Sequence, residues 1–353
     1  MTLPKQDVIL VTGGAGFIGS HLVERLIRSG WRVINLDFLT YAGNLQNLAA
    51  ISGHANHLFA EGDIADRELV ARLLAEHRPR VVLNLAAESH VDRSIEDAQS
   101  FIRTNVEGVY RLLDCSLSYY RSLGPGVRDD FRFIQMSTDE VYGSIAVGEF
   151  TEASGYAPNS PYAATKAAGD HLVRAYGVTF GLPAVIVHAS NTYGPRQYPE
   201  KLIPHMILSA IAGKPLPVYG LGDNVRDWMH VLDLADGLER VVQHGRPGAV
   251  YNFSGCDERK NLDTVRLICR TLDRLQPITG GYESRIAFVE DRPGHDLRYA
   301  MSADGVQRSL GWTPGTPFDE GLRATISWYL GNAPWLRSVE DRGYRVARMG
   351  AAR

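Results

Sequence analysis

The sequence predicts an α/β protein, a Rossmann-type doubly wound parallel sheet with a smaller mixed C-terminal substrate domain. Three observations carry this. Short aliphatic runs alternate with amphipathic helical patterns from Val8 to His188, which is how βαβ units read in sequence. A glycine-rich turn, Thr12-Gly13-Gly14-Ala15-Gly16-Phe17-Ile18-Gly19, joins the first run to the first helix. At 353 residues the chain also exceeds what one hydrophobic core usually serves.

Each element has a local cause. Val8-Ile9-Leu10-Val11 is aliphatic on both faces, as in a parallel strand covered from both sides. A helical pattern follows over 17–27 and Gly30 closes it, before a second strand over 32–36. The unit repeats as strand 57–60, helix 67–76, strand 80–85, helix 97–120 and strand 131–136. Pro161 then opens a helix over 161–176, its fixed φ suiting the first turn, and a strand over 184–188 follows. Right-handed crossovers gather the strand ends along one edge, where ligands bind in such sheets. From Asn191 onward Pro195, Pro199, Pro204, Pro215 and Pro217 break the alternation. The expected division is therefore a first domain over 1–190, a second over 191–335 with segments free to return to the first, and a tail over 336–353, of which 342–353 is basic and poor in hydrophobes.

Bulk composition narrows the function classes. Hydrophobic residues make up 44% and charged ones 22%, as in an ordinary globular protein. A net charge of −3 with dispersed Lys and Arg gives no electrostatic basis for binding nucleic acid or membrane. Cys115, Cys256 and Cys269 are odd in number and lack metal-ligand spacing, so neither a disulfide framework nor a metal site is expected. With no leader-like segment and no long apolar run, the expected location is cytoplasmic.

Gly13, Gly16 and Gly19 are spaced GxxGxxG between a strand and a helix. Glycines there permit a tight turn and let backbone approach a pyrophosphate, which the helix N-terminus attracts. Asp37 ends the second strand, where a carboxylate accepts from a ribose 2′-hydroxyl and repels a 2′-phosphate. The expected cofactor is NAD. By topology Asp63 and Ile64 flank the adenine, and Leu85, Ala86, Ala87 and Ser89 the ribose and pyrophosphate.

Past the fifth strand stands Ser137-Thr138-Asp139-Glu140. Neighbouring carboxyls supply an acid and a base when their environments push the pKa values apart. Adjacent residues of a strand face opposite ways, so the backbone must leave strand geometry after Thr138 if both are to serve one substrate. Tyr162 and Lys166 lie one helical turn apart. A phenol is a weak base until a nearby cation favours its ionised form, and Lys166 can also hold the nicotinamide ribose.

GGAGFIG, the Ser-Thr strand end and YxxxK resemble the extended short-chain dehydrogenase/reductase superfamily. Within it LTYAGN at 39–44, LAAESHVDRS at 85–94, STDEVYG at 137–143, PEKLIP at 199–204 and DRPGHDLRYA at 291–300 resemble the dTDP-glucose 4,6-dehydratase family, with similarity reaching about Leu330. The resemblance implies that Tyr162 takes the proton of a sugar 4-hydroxyl with Thr138 on the same oxygen. It further implies that Glu140 removes the C5 proton and that a protonated Asp139 sends off the 6-hydroxyl. It adds Phe38, Leu39, Thr40, Thr104 and Thr192 to the cofactor site. For the nucleotide-sugar, dTDP-glucose in the first instance, it implies Ser89, Asn191, Lys201, Leu202, Pro217, Val218, Tyr219, Arg226, Asn261, Asp291, Arg292 and His295. It also implies a homodimer built on two long helices per subunit.

The chain departs from the family pattern at Thr192, where a second asparagine is frequent, at Thr165, where serine is, and at Arg196-Gln197-Tyr198. These leave thymidine against uridine open, so UDP-glucose is the alternative substrate. An NAD-dependent epimerase or decarboxylase of nucleotide-sugars shares the fold but needs no Asp139-Glu140 pair, and a non-catalytic cofactor sensor could dispense with Tyr162 and Lys166 as well.

Overall fold

The computed structural model describes residues 7–341, so the basic stretch 342–353 lies outside the described residues. Strands β1 (Val8–Thr12), β2 (Arg32–Asp37), β3 (His57–Glu61), β4 (Val81–Asn84), β5 (Arg132–Met136) and β6 (Ala184–Ala189) alternate with helices α1 (Phe17–Arg28), α2 (Arg67–His77), α3 (Val91–Glu96), α4 (Gln99–Ile102), α5 (Val109–Ser122), α6 (Pro125–Arg128) and α7 (Pro161–Phe180). Then come β7 (Asn191–Tyr193), α8 (Leu202–Ile211), β8 (Leu216–Tyr219), β9 (Val225–His230), α9 (Val231–His244), β10 (Val250–Phe253), β11 (Glu258–Lys260), α10 (Asn261–Leu275), β12 (Ile286–Val289), α11 (Asp304–Leu310), α12 (Phe318–Gly331) and α13 (Ala333–Asp341).

The main sheet has seven parallel strands in the order β10-β6-β5-β4-β1-β2-β3. Strand order reverses between β1 and β4, which opens a crevice at their C-terminal ends. Alternate residues feed opposite layers: Ile9, Val11, Val33 and Leu83 join one core and Leu10, Ile34, Leu36 and Val82 the other. That two-sided burial explains the uninterrupted aliphatic runs.

The first core is not contiguous in sequence. Leu234, Leu238, Val241 and Val242 of α9, Phe253 of β10, and Trp312 pack with Leu22 and Leu26 of α1. Arg25 of α1 pairs with Asp236 and Glu239 of α9. Val306 of α11 also joins this first core, while α8, α10, α12 and α13 build a separate core with the small sheets β11-β9-β7 and β12-β8, in which Met206, Ile207, Trp228, Val265, Phe318 and Tyr329 meet.

Two expectations change. The helix expected over 97–120 is segmented. Asp97 instead caps the separate helix α3, and between α4 and α5 the ladder widens into a π turn at Arg103–Gly108. Within that turn Asn105 faces inward, its amide spent on both the N–H and the carbonyl of Glu88 at 3.0 Å each. Residues 336–341, expected in the tail, belong to α13. Trp335 and Val339, four apart on one helix face, are buried, and the Trp335 indole donates to Asn47 Oδ1 at 2.6 Å.

Candidate active site

At the glycine turn the packing allows no larger residue. A Cβ on Gly19 would stand 2.2 Å from the Gly13 carbonyl oxygen, and one on Gly13, itself at φ +71°, 2.7 Å from the Ala86 nitrogen. Helix α1 begins at Gly16 without a side-chain cap, so its first N–H groups are available to an anion. The Asp37 carboxylate accepts from the Ala15 N–H at 2.8 Å and from the Leu39 N–H at 2.8 Å, fixing the turn against the end of β2. A cradle that any Cβ would fill, beside a buried carboxylate, fits a dinucleotide with a free 2′-hydroxyl.

One cleft runs along this sheet edge. Of the expected residues it is lined by Gly13, Gly16, Phe17, Ile18 and Gly19, by Asp37, Phe38 and Thr40, and by Asp63 and Ile64. Leu85, Ala86, Ala87, Ser89 and Thr104 follow, then Thr138, Asp139, Glu140, Tyr162 and Lys166, and finally Asn191, Thr192 and Lys201. Leu39 is not among them. It adopts φ +52° and its side chain packs against the first core. Leu202 and Val218 pack in or against the C-terminal core, also away from the cleft.

At the end of β5 the backbone leaves strand geometry. Thr138 is extended, at φ −141° and ψ 153°, and caps a single 3₁₀ turn, Asp139–Tyr142, by accepting from the Glu140 N–H. Both carboxyls therefore sit in one first turn and both line the cleft. Asp139 Oδ1 accepts from the Thr138 hydroxyl at 3.2 Å, while its Oδ2 is buried without a partner. Burial, then the neighbouring Glu140 and Asp227 charges, hold the Asp139 carboxyl well above the usual carboxylate range. Glu140 is also raised by burial, but Arg292, Lys201 and Arg226 oppose that shift. Two adjacent carboxyls thus have different environments, Asp139 suited to carry a proton and Glu140 to release one.

Tyr162 and Lys166 lie on the buried face of α7. The Lys166 ammonium donates to the Met136 carbonyl at 2.6 Å. The Tyr162 phenol is pushed up by burial and by the Glu140 charge, with the Thr138 hydroxyl bond opposing. From the sequence a nearby ammonium is expected to favour the ionised phenol; in the structure the largest influence on Tyr162 is burial, which pushes the phenol up.

Most of the residues expected on the C-terminal side form an adjoining cluster outside the cleft lining. Arg292 pairs with Asp92 at 3.2 Å, and the Tyr219 hydroxyl donates to the same carboxylate at 3.1 Å. His295 bonds Asp291 at 2.6 Å and sets its ring against Tyr219. Arg226 lies over the Tyr299 ring at 4.4 Å and donates to the Asp296 carbonyl at 3.0 Å. Asn261 Oδ1 and Arg292 Nε are buried without partners. Pro217 stands in β8 beside Tyr219.

Sequence reasoning missed Gln197, Tyr198 and Glu200, which line the cleft. Glu200 accepts from the Tyr41 hydroxyl at 3.0 Å, and Tyr198 packs edge-on to Tyr41. The available signal was a tyrosine and an acid inside a proline-rich loop, next to the expected Lys201. Among the described residues no group of His, Cys, Asp or Glu could hold a metal ion, and no helix is long and apolar enough to cross a membrane.

A family profile for GDP-mannose 4,6 dehydratase matches residues 10–325. A dTDP-glucose 4,6-dehydratase of Xanthomonas campestris pv. campestris is 53% identical over 345 residues, covering 97% of this chain and 98% of the relative. One from Escherichia coli K12 is 47% identical, covering 96% of each. Among solved structures, the dTDP-glucose 4,6-dehydratase DesIV of Streptomyces venezuelae, with NAD and dTDP bound, superposes with a TM-score of 0.85 at 43% identity, covering 93% of this chain and 98% of that one. A UDP-glucose 4-epimerase of Thermotoga maritima gives 0.82 at 28% identity, covering 92% and 99%.

Proposed function

From the membership of this chain in the GDP-mannose 4,6-dehydratase family, to which it belongs over residues 10–325, we infer that it is an NAD-dependent lyase converting dTDP-glucose to dTDP-4-keto-6-deoxyglucose. The observation that carries this is the acid–base pair in the 3₁₀ turn beside Tyr162 and Lys166, with the Asp139 carboxyl held well above the usual carboxylate range and Glu140 set among three cations. A 4-epimerase has no use for such a pair.

The glycine turn and Asp37 would hold the cofactor, with Phe38, Thr40, Asp63 and Ile64 toward its adenosine end and Thr104, Thr192 and Lys166 farther along the same cleft. Bound NAD⁺ supplies a hydride acceptor and later donor, together with a positive charge that favours the Tyr162 phenolate. Tyr162 takes the proton of the sugar 4-hydroxyl while Thr138 hydrogen-bonds the same oxygen. The 4-ketone so formed acidifies C5–H, and Glu140 removes that proton. Asp139 donates to the 6-hydroxyl, which leaves as water. Glu140 would give its proton back to C5 as C6 is reduced. The proton gained by Tyr162 balances the one lost by Asp139, so one water leaves and the cofactor is unchanged. Ser89, Asn191 and Lys201 hold the hexose and diphosphate, Arg226 and Arg292 grip phosphate oxygens, and Pro217, Tyr219, Asn261 and His295 close around the base.

The protein is proposed to act in the cytoplasm as a homodimer. Ile102 and Tyr110, on the segment running into α5, and Val178 and Phe180 of α7 are exposed large hydrophobics on the two helices that a second copy would cover. Incubation with dTDP-glucose, and separately with UDP-glucose, followed by alkali tests the activity. The 4-keto product develops an alkali-induced chromophore, and its absence with both sugars would remove the reading.

A further inference from the structure

Behind the Tyr–Lys pair lies a buried polar cluster that the mechanism above does not use. Asp170 is one turn beyond Lys166 on α7, so residues 162, 166 and 170 share a helix face. Its Oδ2 accepts from the Ser137 hydroxyl at 2.6 Å and the Tyr156 hydroxyl at 3.2 Å, and lies 3.3 Å from His188 Nε2. Its Oδ1 is buried with no partner. Behind His188 stand Tyr142 and Asn252, the Tyr142 hydroxyl 3.1 Å from His188 Nδ1 and 3.0 Å from Asn252 Oδ1. Glu152 accepts from the Asn252 N–H at 3.3 Å. A buried carboxylate needs such a shell, and apolar packing would fill the same volume at lower cost.

Two successive residues at the end of β5 are tied to two successive turns of α7. The Met136 carbonyl takes the Lys166 ammonium and the Ser137 hydroxyl gives to Asp170. We propose that Asp170 is a positioning residue, the buried counter-charge that keeps Lys166 an ammonium while anchoring the strand end that carries Thr138, Asp139 and Glu140. Burial lowers the Lys166 pKa and Asp170 opposes that shift. The Asp170 charge by itself raises the Tyr162 phenol, so what it contributes to the pair passes through Lys166, which without the carboxylate becomes neutral closer to physiological pH. The proposal rests on the reading of Tyr162 and Lys166 as the redox pair.

The test compares Asp170→Asn, which keeps shape and loses charge, with Asp170→Glu, which keeps charge and changes shape. The chain's lysines are Lys5, Lys166, Lys201, Lys214 and Lys260, few enough for isotope-labelled lysine NMR titration of the holoenzyme, with Lys166 assigned by Lys166→Arg. In Asp170→Asn the Lys166 midpoint should fall by about one unit or more. The alkaline limb of single-turnover cofactor reduction should move with it, and both should stay at the wild-type position in Asp170→Glu. Slower turnover with neither midpoint moved would mean a merely structural aspartate and overturn the proposal. If Asp170→Asn does not fold, Asp170→Glu decides, because a displaced Lys166 midpoint there refutes a charge role and a coincident one supports it. Failure of the dehydratase reading is seen separately, as wild-type protein that does not reduce its cofactor with dTDP-glucose.

Discussion

Acid should loosen the cofactor site through a residue remote from the chemistry. His21 of α1 is buried and its Nε2 lies 3.0 Å from the Pro195 carbonyl, at the start of the loop that brings Gln197 and Tyr198 to the cleft. Burial, with the Arg196 charge adding to it, pushes the imidazole from 6.5 down to about 4. Between those values the unfolded chain takes up a proton that the folded chain refuses. Stability is therefore fully present above pH 6.5 and is lost as pH falls toward about 4. The gap of roughly two and a half units, at about 1.4 kcal/mol per unit, makes this loss about 3 kcal/mol. His21→Gln keeps a donor for the Pro195 carbonyl and does not titrate. Denaturant unfolding of both proteins across that interval isolates the term, since every other group cancels in the difference. Wild type should lose about 3 kcal/mol more than the variant on acidification, and should release bound NAD at a higher pH. Parallel stability curves would refute the reasoning.

Asp139→Asn should slow elimination by about 10²- to 10⁴-fold while leaving C4 oxidation, so reduced cofactor builds up in a single turnover; no build-up would exclude Asp139 as the acid. Because burial holds the folded Asp139 carboxyl well above 3.8, the unfolded chain releases a proton that the folded chain keeps, and stability is lost as pH rises from 3.8 toward that raised value. The same variant should therefore melt higher than wild type at neutral pH, as calorimetry would show. Tyr162→Phe should block even the first hydride transfer, and cofactor reduction at the wild-type rate in that variant would exclude Tyr162 as the base. Gly19→Ala puts a methyl 2.2 Å from the Gly13 carbonyl oxygen; it should purify without bound NAD, and full cofactor content would contradict the packing argument.

What could be read from sequence was what is local. The turn from Thr12 to Gly19, Asp37 at a strand end, and Tyr162 with Lys166 on a helix each depend on residues within a few positions of one another. The division between Asp139 and Glu140 could be stated as a requirement, but its cause could not, because the cations around Glu140 come from Lys201, Arg226 and Arg292 in other elements. Asp170 escaped notice for the same reason. Its meaning lies in Ser137, Tyr156 and His188, brought to it by three separate segments. The segmented helix over 97–120 was missed because the π turn answers to Asn105 and its hold on Glu88 rather than to any apolar period.

The seventh strand of the main sheet has a consequence for how the protein is made. β10 pairs with β6, and α9 and Trp312 complete the layer over α1, although all three are encoded after the chain has begun its second core. On the ribosome the nucleotide-binding half cannot close when residue 190 emerges, because the edge of β6 stays open and Leu22, Leu26 and Val187 stay uncovered until residue 312 is synthesised. A nascent chain stalled between those points should be protease-sensitive and a client for chaperones, and its resistance should appear in one late step.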